Sequence, residues 1–475
     1  MRVLVPDLLY VDGRFEAGLA LEYDEAAGTI TRIAAADVLA AGAPGGAGVE
    51  RLPGRALLPG FVNAHSHAFQ RVIRGRTQWR PAGAPDADFW SWREAMYAAA
   101  LSLSPEEVQA VSRFCFLEML RAGITAVGEF HYLHRDPEGR SYQDPNELAH
   151  RVIAAADEVG LRIALLNVCY ATGGIGRPLG AEQRRFATPD LDAFLTDTAA
   201  LAEAWRGAPR VSIGVAPHSV RAVPREWLGE IVGWAGARDV VVHMHVSEQP
   251  REVEECLAAY GARPVELLAD DGVLGERFTA VHATHLTAGE VRRLGDSGST
   301  VCACPTTERD LGDGFLPGRE LLAAGARIAL GTDSHTIVDM FEEMRLVEYH
   351  ERLRRLRRVV LTVPGPDDRL EVAPLLFDLA MESGARSLGL EAGRLEPGRL
   401  ADFVAVDLEH PVLAGWTPDT LGAMLTLSAS AGVVTDVWVG GVRRIEAGHH
   451  AAEEAAAAEF RRVSGRLAAP EPARS

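Results

Sequence analysis

The chain has 475 residues and a formal net charge of −18, with 24% charged and 47% hydrophobic residues. That length exceeds one small domain and supplies ample apolar surface for a large core. The acidity excludes nucleic acid as a partner, because phosphate binding needs a basic footprint, and no run approaches the roughly 18 uninterrupted apolar residues of a membrane span.

In chain order, residues 1–58 carry short apolar runs at 2–5, 8–11, 19–23 and 30–33, cut by turns, which predicts a β-rich segment. Pro6 and Asp7 stand where a signal peptide needs a long apolar region. From Gly60 onward the pattern changes to short apolar strands followed by amphipathic helices. Strands are predicted over 60–67, 124–130, 162–170, 211–217, 240–246, 278–283, 300–304 and 327–331. Between the first two, Ser104-Pro105-Glu106-Glu107 is a capping box with proline at the first helical position. Val108, Val111, Cys115 and Met119 then form an apolar stripe, and Gly123 ends the helix. Thr287-Ala288-Gly289-Glu290 opens a later helix in the same way. After about 392 the β character returns, with a strand at 401–407 and a hairpin of 434–439 and 442–445 around Gly440-Gly441. Residues 450–463 predict a helix and 470–475 a disordered tail.

Eight buried strands alternating with helices predict an α/β fold, a parallel (β/α)8 TIM-like barrel, over 59–391. No glycine-rich phosphate fingerprint follows the first strand, which disfavours a doubly wound open sheet. Segments 1–58 and 392–450 are expected to pair into one small β-sandwich, leaving 451–475 as a C-terminal helix and tail. The five cysteines are odd in number and scattered, which argues for free thiols in a reducing cytoplasm. Cys302 and Cys304 read as buried strand thiols.

In such a barrel the C-terminal strand ends build the active site. The first strand ends in His65-Ser66-His67, the fourth in His218, the fifth in His243-Met244-His245-Val246-Ser247-Glu248, the sixth in His282-Ala283-Thr284-His285, and the eighth in Asp333-Ser334-His335. Each alone reads more readily as a hydrogen-bonded, solvated or capping residue. Together at one rim they point to a metal. Residues two apart on a strand share a face, so His65 and His67 aim at one point. We assign His65, His67 and His245 as nitrogen ligands and Asp333 as the fourth, around one divalent ion. Three imidazoles and a carboxylate favour Zn2+, although iron and manganese occupy similar sites. His243 shares the face of His245 but sits deeper, in the barrel interior. Asp333 and His282 are placed to accept a proton from bound water, and Glu248 to deliver it to a departing nitrogen. The chain contains no lysine, so a two-metal site bridged by a modified lysine is excluded.

These motifs resemble the amidohydrolase superfamily in its mononuclear deaminase branch, across the whole chain. Five pieces resemble the N-formimidoyl-L-glutamate deiminases in particular: His65-Ser66-His67-Ala68-Phe69-Gln70-Arg71, Phe89-Trp90-Ser91-Trp92-Arg93-Glu94, Glu129-Phe130-His131-Tyr132, Ala216-Pro217-His218-Ser219-Val220-Arg221 and Cys304-Pro305-Thr306-Thr307-Glu308. The resemblance implies hydrolysis of a formimidoyl group to a formyl group and ammonia, in histidine degradation, by a cytoplasmic homodimer. It also implies a small anionic amidine substrate. Arg93 and Arg221 would grip its two carboxylates, with Gln70, Tyr132 and His218 completing the hydrogen bonds. Arg93 could instead pair with a neighbouring helix acid, and Trp90 and Trp92 read as packing. The glycine-rich stretch 171–180 is placed as a flap over the pocket. Arg309-Asp310 stands where that family has Ala-Asn, a departure in the seventh-strand loop. Two rivals remain: a related aminohydrolase acting on a purine or pyrimidine ring, and a non-catalytic scaffold that kept the barrel.

Overall fold

The computed structural model describes residues 1–42, 48–80, 82–83 and 86–468; the expected tail at 470–475 lies outside them. The N-terminal segment forms β1 (Arg2–Val11), β2 (Arg14–Ala17), β3 (Leu19–Asp24), β4 (Thr29–Ala35) and β5 (Val49–Pro59). Eight strands follow in one parallel sheet in sequence order: β6 (Phe61–Ser66), β7 (Ile124–His131), β8 (Arg162–Cys169), β9 (Val211–Pro217), β10 (Val242–Val246), β11 (Phe278–His282), β12 (Thr300–Ala303) and β13 (Arg327–Leu330). These are the eight predicted strands. Just past β13, Asp333 closes the circle onto β6: its N–H donates to the His65 carbonyl and its carbonyl accepts from the His67 N–H, both at 3.0 Å. The approach needs Gly331, where a Cβ would lie 2.8 Å from the His65 Cβ and 2.9 Å from the His65 carbonyl oxygen.

The barrel strands are buried along nearly their whole length, which is why they read as continuous apolar runs rather than alternating ones. The first outer helix, Pro105–Arg121, starts in the expected reciprocal box between Ser104 and Glu107. Its stripe of Val108, Val111, Cys115 and Met119 is fully buried, each such side chain contributing on the order of 1.5–3 kcal/mol. Thr287 and Glu290 cap the helix Ala288–Asp296 in the same way. At the N-terminal end of the barrel, helices Ala373–Ala380 and Glu382–Ser387 form a floor. Ala385 and Leu388 pack there on Val62, Ala126 and Ala164. A short ribbon, β14 (Val363–Pro364) with β15 (Leu370–Glu371), precedes these helices.

The chain then forms β16 (Phe403–Asp407), β17 (Val434–Val439) and β18 (Val442–Ile445). Gly440 and Gly441, with φ of 58° and 75°, make the hairpin turn. These strands join the N-terminal ones in a single mixed sheet, ordered β18-β17-β16-β5-β1-β3-β4 with β2 on β1. The sheet folds over on itself. Ile30 N–H donates to the Arg399 carbonyl at 2.8 Å, and the Tyr23 ring meets the Phe403 ring at 5.4 Å. One face thereby encloses Leu4, Leu21, Leu57 and Trp438, and the other lays Leu8, Leu58, Val404 and Val437 on the main core. The runs at 2–5 and 8–11 prove to be one strand, with a register irregularity between Pro6 and Leu8. β2 and β5 were not predicted. Pro53 and Gly54 make the second read as a turn, yet the Gly54 N–H is satisfied by the Asp7 carboxylate at 2.8 Å. The C-terminal helix runs Glu453–Ala468. Among the described residues no helix is long and apolar enough to cross a membrane.

Candidate active site

β6 and β10 bring three imidazoles to the mouth of the barrel. The Nε2 of His65 lies 3.1 Å from that of His67 and 3.2 Å from that of His245. Asp333 Oδ1 lies 3.5 Å from the first and 3.3 Å from the second. His67 Nδ1 donates to the Phe130 carbonyl at 3.0 Å, and His245 Nδ1 to the His218 carbonyl at 3.1 Å. A carbonyl oxygen only accepts, so these bonds hold the ring hydrogens on Nδ1 and leave lone pairs on Nε2. Burial keeps the rings neutral: His65 is pushed down to about 3, His67 is lowered, and His245 is lowered well below the usual range. Three Nε2 atoms thus converge, with the Asp333 carboxylate against two of them, and with too few hydrogens to satisfy one another. That is the donor set of a divalent cation, with carbonyl-anchored rings around it.

Beside the cage, His282 Nε2 stands 3.8 Å from Asp333 Oδ2 and 3.6 Å from Glu248 Oε1, while its Nδ1 meets Glu308 Oε1 at 3.3 Å. Burial works against charge on this ring. Glu248 first, then Glu308 and Asp333, outweigh it and raise His282 well above its ordinary value. Burial also opposes ionisation of Asp333, but the His65 hydrogen bond and the surrounding imidazoles hold its carboxyl low. Glu248 is raised to about 7, chiefly by burial. Two carboxyls flanking the same His282 nitrogen are therefore driven in opposite directions, which is how acid and base roles separate. The backbone turns sharply at this rim. Ser247, His282, Ala283 and Asp333 all have positive φ, from 46° to 69°. Such conformations cost of order 1–3 kcal/mol each and cluster where side chains must be aimed.

One cleft lies over the cage. It is lined by His67, His245, Glu248, His282 and Asp333 from the rim, and by Gln70, Arg93, Tyr132, His218 and Arg221 on the wall. Of the ligand, catalytic and substrate-binding residues assigned from the sequence, His65 alone does not line it, being fully buried. Arg93 donates to the Tyr170 hydroxyl at 2.7 Å rather than to a helix acid. Arg221 donates through Nε to Glu252 at 3.0 Å, which leaves its two terminal nitrogens without a hydrogen-bond partner among the described residues. Gln70 Nε2 donates to the Tyr132 hydroxyl at 2.7 Å, and its buried Oε1 has no partner among the described residues. His218, lowered by burial and then by Arg221 and Arg93, is neutral. Trp92, read as packing, also lines the cleft. His243 lies in the interior as expected, its Nε2 2.8 Å from the Ser387 carbonyl on the floor.

Several supporting groups escaped sequence reasoning. Glu308 accepts from Cys304 N–H at 2.8 Å and faces His282. Glu129 accepts from the Ala68 N–H at 2.7 Å and from the Ser66 hydroxyl, beside both strand-end histidines. Glu252 takes the Ser247 N–H at 2.8 Å. Glu129 and Glu308 lie inside quoted motifs; for Glu129, an acid near the end of β7 was the available signal, whereas Glu308 lies in the helix Pro305–Leu311 beyond β12. Arg309 pairs with Glu342 at 3.0 Å and Asp310 accepts from Gln78 at 2.8 Å, so this departure faces away from the cleft, whose lining at that loop is Leu311. The stretch 171–180 is tied to the Ala222 carbonyl by the N–H groups of Ala171 and Thr172 and does not line the cleft.

Residues 56–444 match the amidohydrolase family. A formimidoylglutamate deiminase of Pseudomonas aeruginosa is 40% identical over 421 residues, 88% of this chain and 91% of that one. The crystal structure of an amidohydrolase from Brucella melitensis superposes with a TM-score of 0.89 at 34% identity, covering 99% of this chain and all of the other. An adenosine deaminase from Xanthomonas campestris, solved with bound zinc, superposes with a TM-score of 0.81 at 25% identity over 98% of each chain.

Proposed function

This chain belongs to the amidohydrolase family, as a hydrolase acting on C–N bonds, and we propose that its substrate is N-formimidoyl-L-glutamate, hydrolysed to N-formyl-L-glutamate and ammonia. The observation that carries the reading is the pair of guanidiniums, Arg93 and Arg221, on the wall of the cleft that opens over the imidazole cage. Two planar forks suit two carboxylates, and the Pseudomonas relative bears that activity in its name.

His65, His67, His245 and Asp333 would hold one divalent ion, Zn2+ by its preference for imidazole and carboxylate donors. Bound there, it would supply a Lewis acid and bring the pKa of a coordinated water toward about 7. The protein's own groups do the rest. Asp333, held ionised by the surrounding imidazoles, accepts the proton of the attacking water; His282, raised well above its ordinary value by Glu248, Glu308 and Asp333, already carries its own. As the oxygen–carbon bond forms at the amidine carbon, the His282 imidazolium faces the growing negative charge. Glu248, proton-bearing below about 7, protonates the departing nitrogen, and cleavage of the C–N bond releases ammonia. Gln70, Tyr132 and His218 fix the substrate between the arginines and the cage. We assign this chemistry to 59–391, with the β-sandwich of 1–58 and 392–450 as its support. We place the enzyme in the cytoplasm as a homodimer. The five cysteines, all buried and unpaired, suit a reducing compartment, and light scattering tests the dimer.

An ammonia-release assay decides the substrate, run on formimidoyl-glutamate beside formimidoyl-aspartate, guanine and cytosine. Turnover of the first alone is expected. The second reading, a purine or pyrimidine deaminase, is favoured by Phe89, Trp92 and Tyr132 in the cleft wall and by the Xanthomonas neighbour; turnover of a ring substrate in preference would establish it.

A further inference from the structure

Trp90 sits at the start of the helix Phe89–Ser102, and three guanidiniums surround its indole. Arg93 lies 5.4 Å from the ring centroid, Arg221 5.6 Å, and Arg251 4.6 Å. Like charges repel, so gathering three on one ring needs compensation. Attraction to the ring face supplies part of it. Glu252 pairs with Arg221, and Glu255 accepts from both Arg251 at 2.9 Å and Arg177 at 3.0 Å. Three guanidiniums thus share two carboxylates and the fourth, Arg93, donates to the Tyr170 hydroxyl, leaving a local excess of positive charge on a protein whose net charge is −18. The three are also graded in depth. The Arg221 side chain is 6% exposed, Arg93 is half-buried, and the Arg251 side chain is 51% exposed. Arg221 and Arg93 line the cleft; Arg251 does not.

We propose that Arg251, stacked on Trp90, is an outer anion-recruiting subsite that draws a carboxylate-bearing substrate toward the inner pair Arg93 and Arg221, with Trp90 as the shared platform that positions all three. The proposal deepens the dicarboxylate reading above and rests on it for the identity of the substrate. An acidic protein repels an anion at long range, and a locally positive mouth offsets this where the ligand arrives. Arg251 acts on encounter, through solvent, whereas Trp90 acts by contact on residues that touch the substrate.

The test uses glutarate, which has two carboxylates and no amidine, titrated calorimetrically into the wild type, Arg251→Gln and Trp90→Leu, beside steady-state kinetics with formimidoyl-glutamate. At low ionic strength Arg251→Gln is expected to weaken glutarate binding and lower kcat/KM by about five-fold, carried by KM. The deficit should close at about 0.5 M salt, where the screening length falls to a few ångströms. Trp90→Leu should weaken glutarate at both salt concentrations, because it unseats Arg93 and Arg221 at short range. Equal affinity of Arg251→Gln and the wild type at low salt would overturn the subsite, as would a deficit indifferent to salt or a wild type that does not bind glutarate. If the wild type binds glutarate with the expected salt dependence but releases no ammonia from formimidoyl-glutamate, the substrate reading fails and the anion subsite stands.

Discussion

At the mouth of the barrel, His245 turns a bare Nε2 toward two other imidazoles. Two residues earlier on the same face of β10, His243 points its Nε2 at the Ser387 carbonyl on the floor. Both rings are buried and both are pushed down by burial, His243 to about 4. The difference lies in what each ring meets. The floor offers one carbonyl, to which Nε2 donates, and the buried Nδ1 has no partner among the described residues. The mouth ties Nδ1 to a carbonyl and leaves Nε2 among atoms that are themselves acceptors. Histidine at a strand end is thus structural or metal-seeking according to what its remaining bare nitrogen meets, other imidazoles at the mouth and no partner on the floor, and neither burial nor pKa separates the two.

The comparison breaks hardest at the ligands. His245→Ala, or chelation of the wild type, should abolish ammonia release by at least about 10³-fold, since the nucleophile loses its activation; metal analysis of the same samples should show the loss. If activity survives chelation with no metal present, the mouth is no metal centre and the contrast with His243 collapses. Glu248→Gln comes next, with kcat expected to fall by about 10²–10⁴-fold while the metal stays bound. Its carboxyl is raised to about 7, so the proton-bearing form dominates below that pH and is lost above it. The wild-type kcat should therefore decline as pH rises through about 7, and a pH profile of Glu248→Gln should lack that limb.

Arg221→Ala should raise KM for formimidoyl-glutamate by about 10- to 150-fold, the equivalent of 1.5–3 kcal/mol for a hydrogen bond to a charged group, with a smaller change in kcat. No change in KM would point to the ring-substrate reading. The mildest effect sharpens the comparison from the other side. His243→Ala strands the Ser387 carbonyl in the floor at a cost of about 1–3 kcal/mol. Chemical denaturation should register this, with metal content at the level of the wild type. Loss of the metal instead would mean that the floor and the mouth are one unit.

The barrel was legible because its strands are short, buried on both faces and punctuated by histidine or acid at their C-terminal ends. Period-two geometry placed His65 with His67 and His243 with His245, and depth along the strand separated the last two. Less legible was everything that depends on contact between distant loops. Glu308, Glu252 and Tyr170 act on His282, Arg221 and Arg93 across gaps of 26 to 77 residues, and no local pattern encodes such pairings. β5 was missed for a different reason: Pro53-Gly54 carries a turn signature, which the Asp7 side chain overrides. Trp90 was read as packing because an aromatic residue's sequence context does not reveal that its face will carry cations.

The junction at which Asp333 exchanges backbone hydrogen bonds with His65 and His67 has a bearing on folding. The two elements it joins are some 270 residues apart, so they meet only after nearly the whole catalytic body has been synthesised, and contacts of that separation form slowly. A chain that stops short of residue 331 carries every imidazole of the cage but lacks both the fourth donor and the backbone clasp that holds the first strand in register. With the proposed ligands, ion capture would be coupled to completion of the ring, and an ion bound only by the finished form would add its binding free energy to global stability.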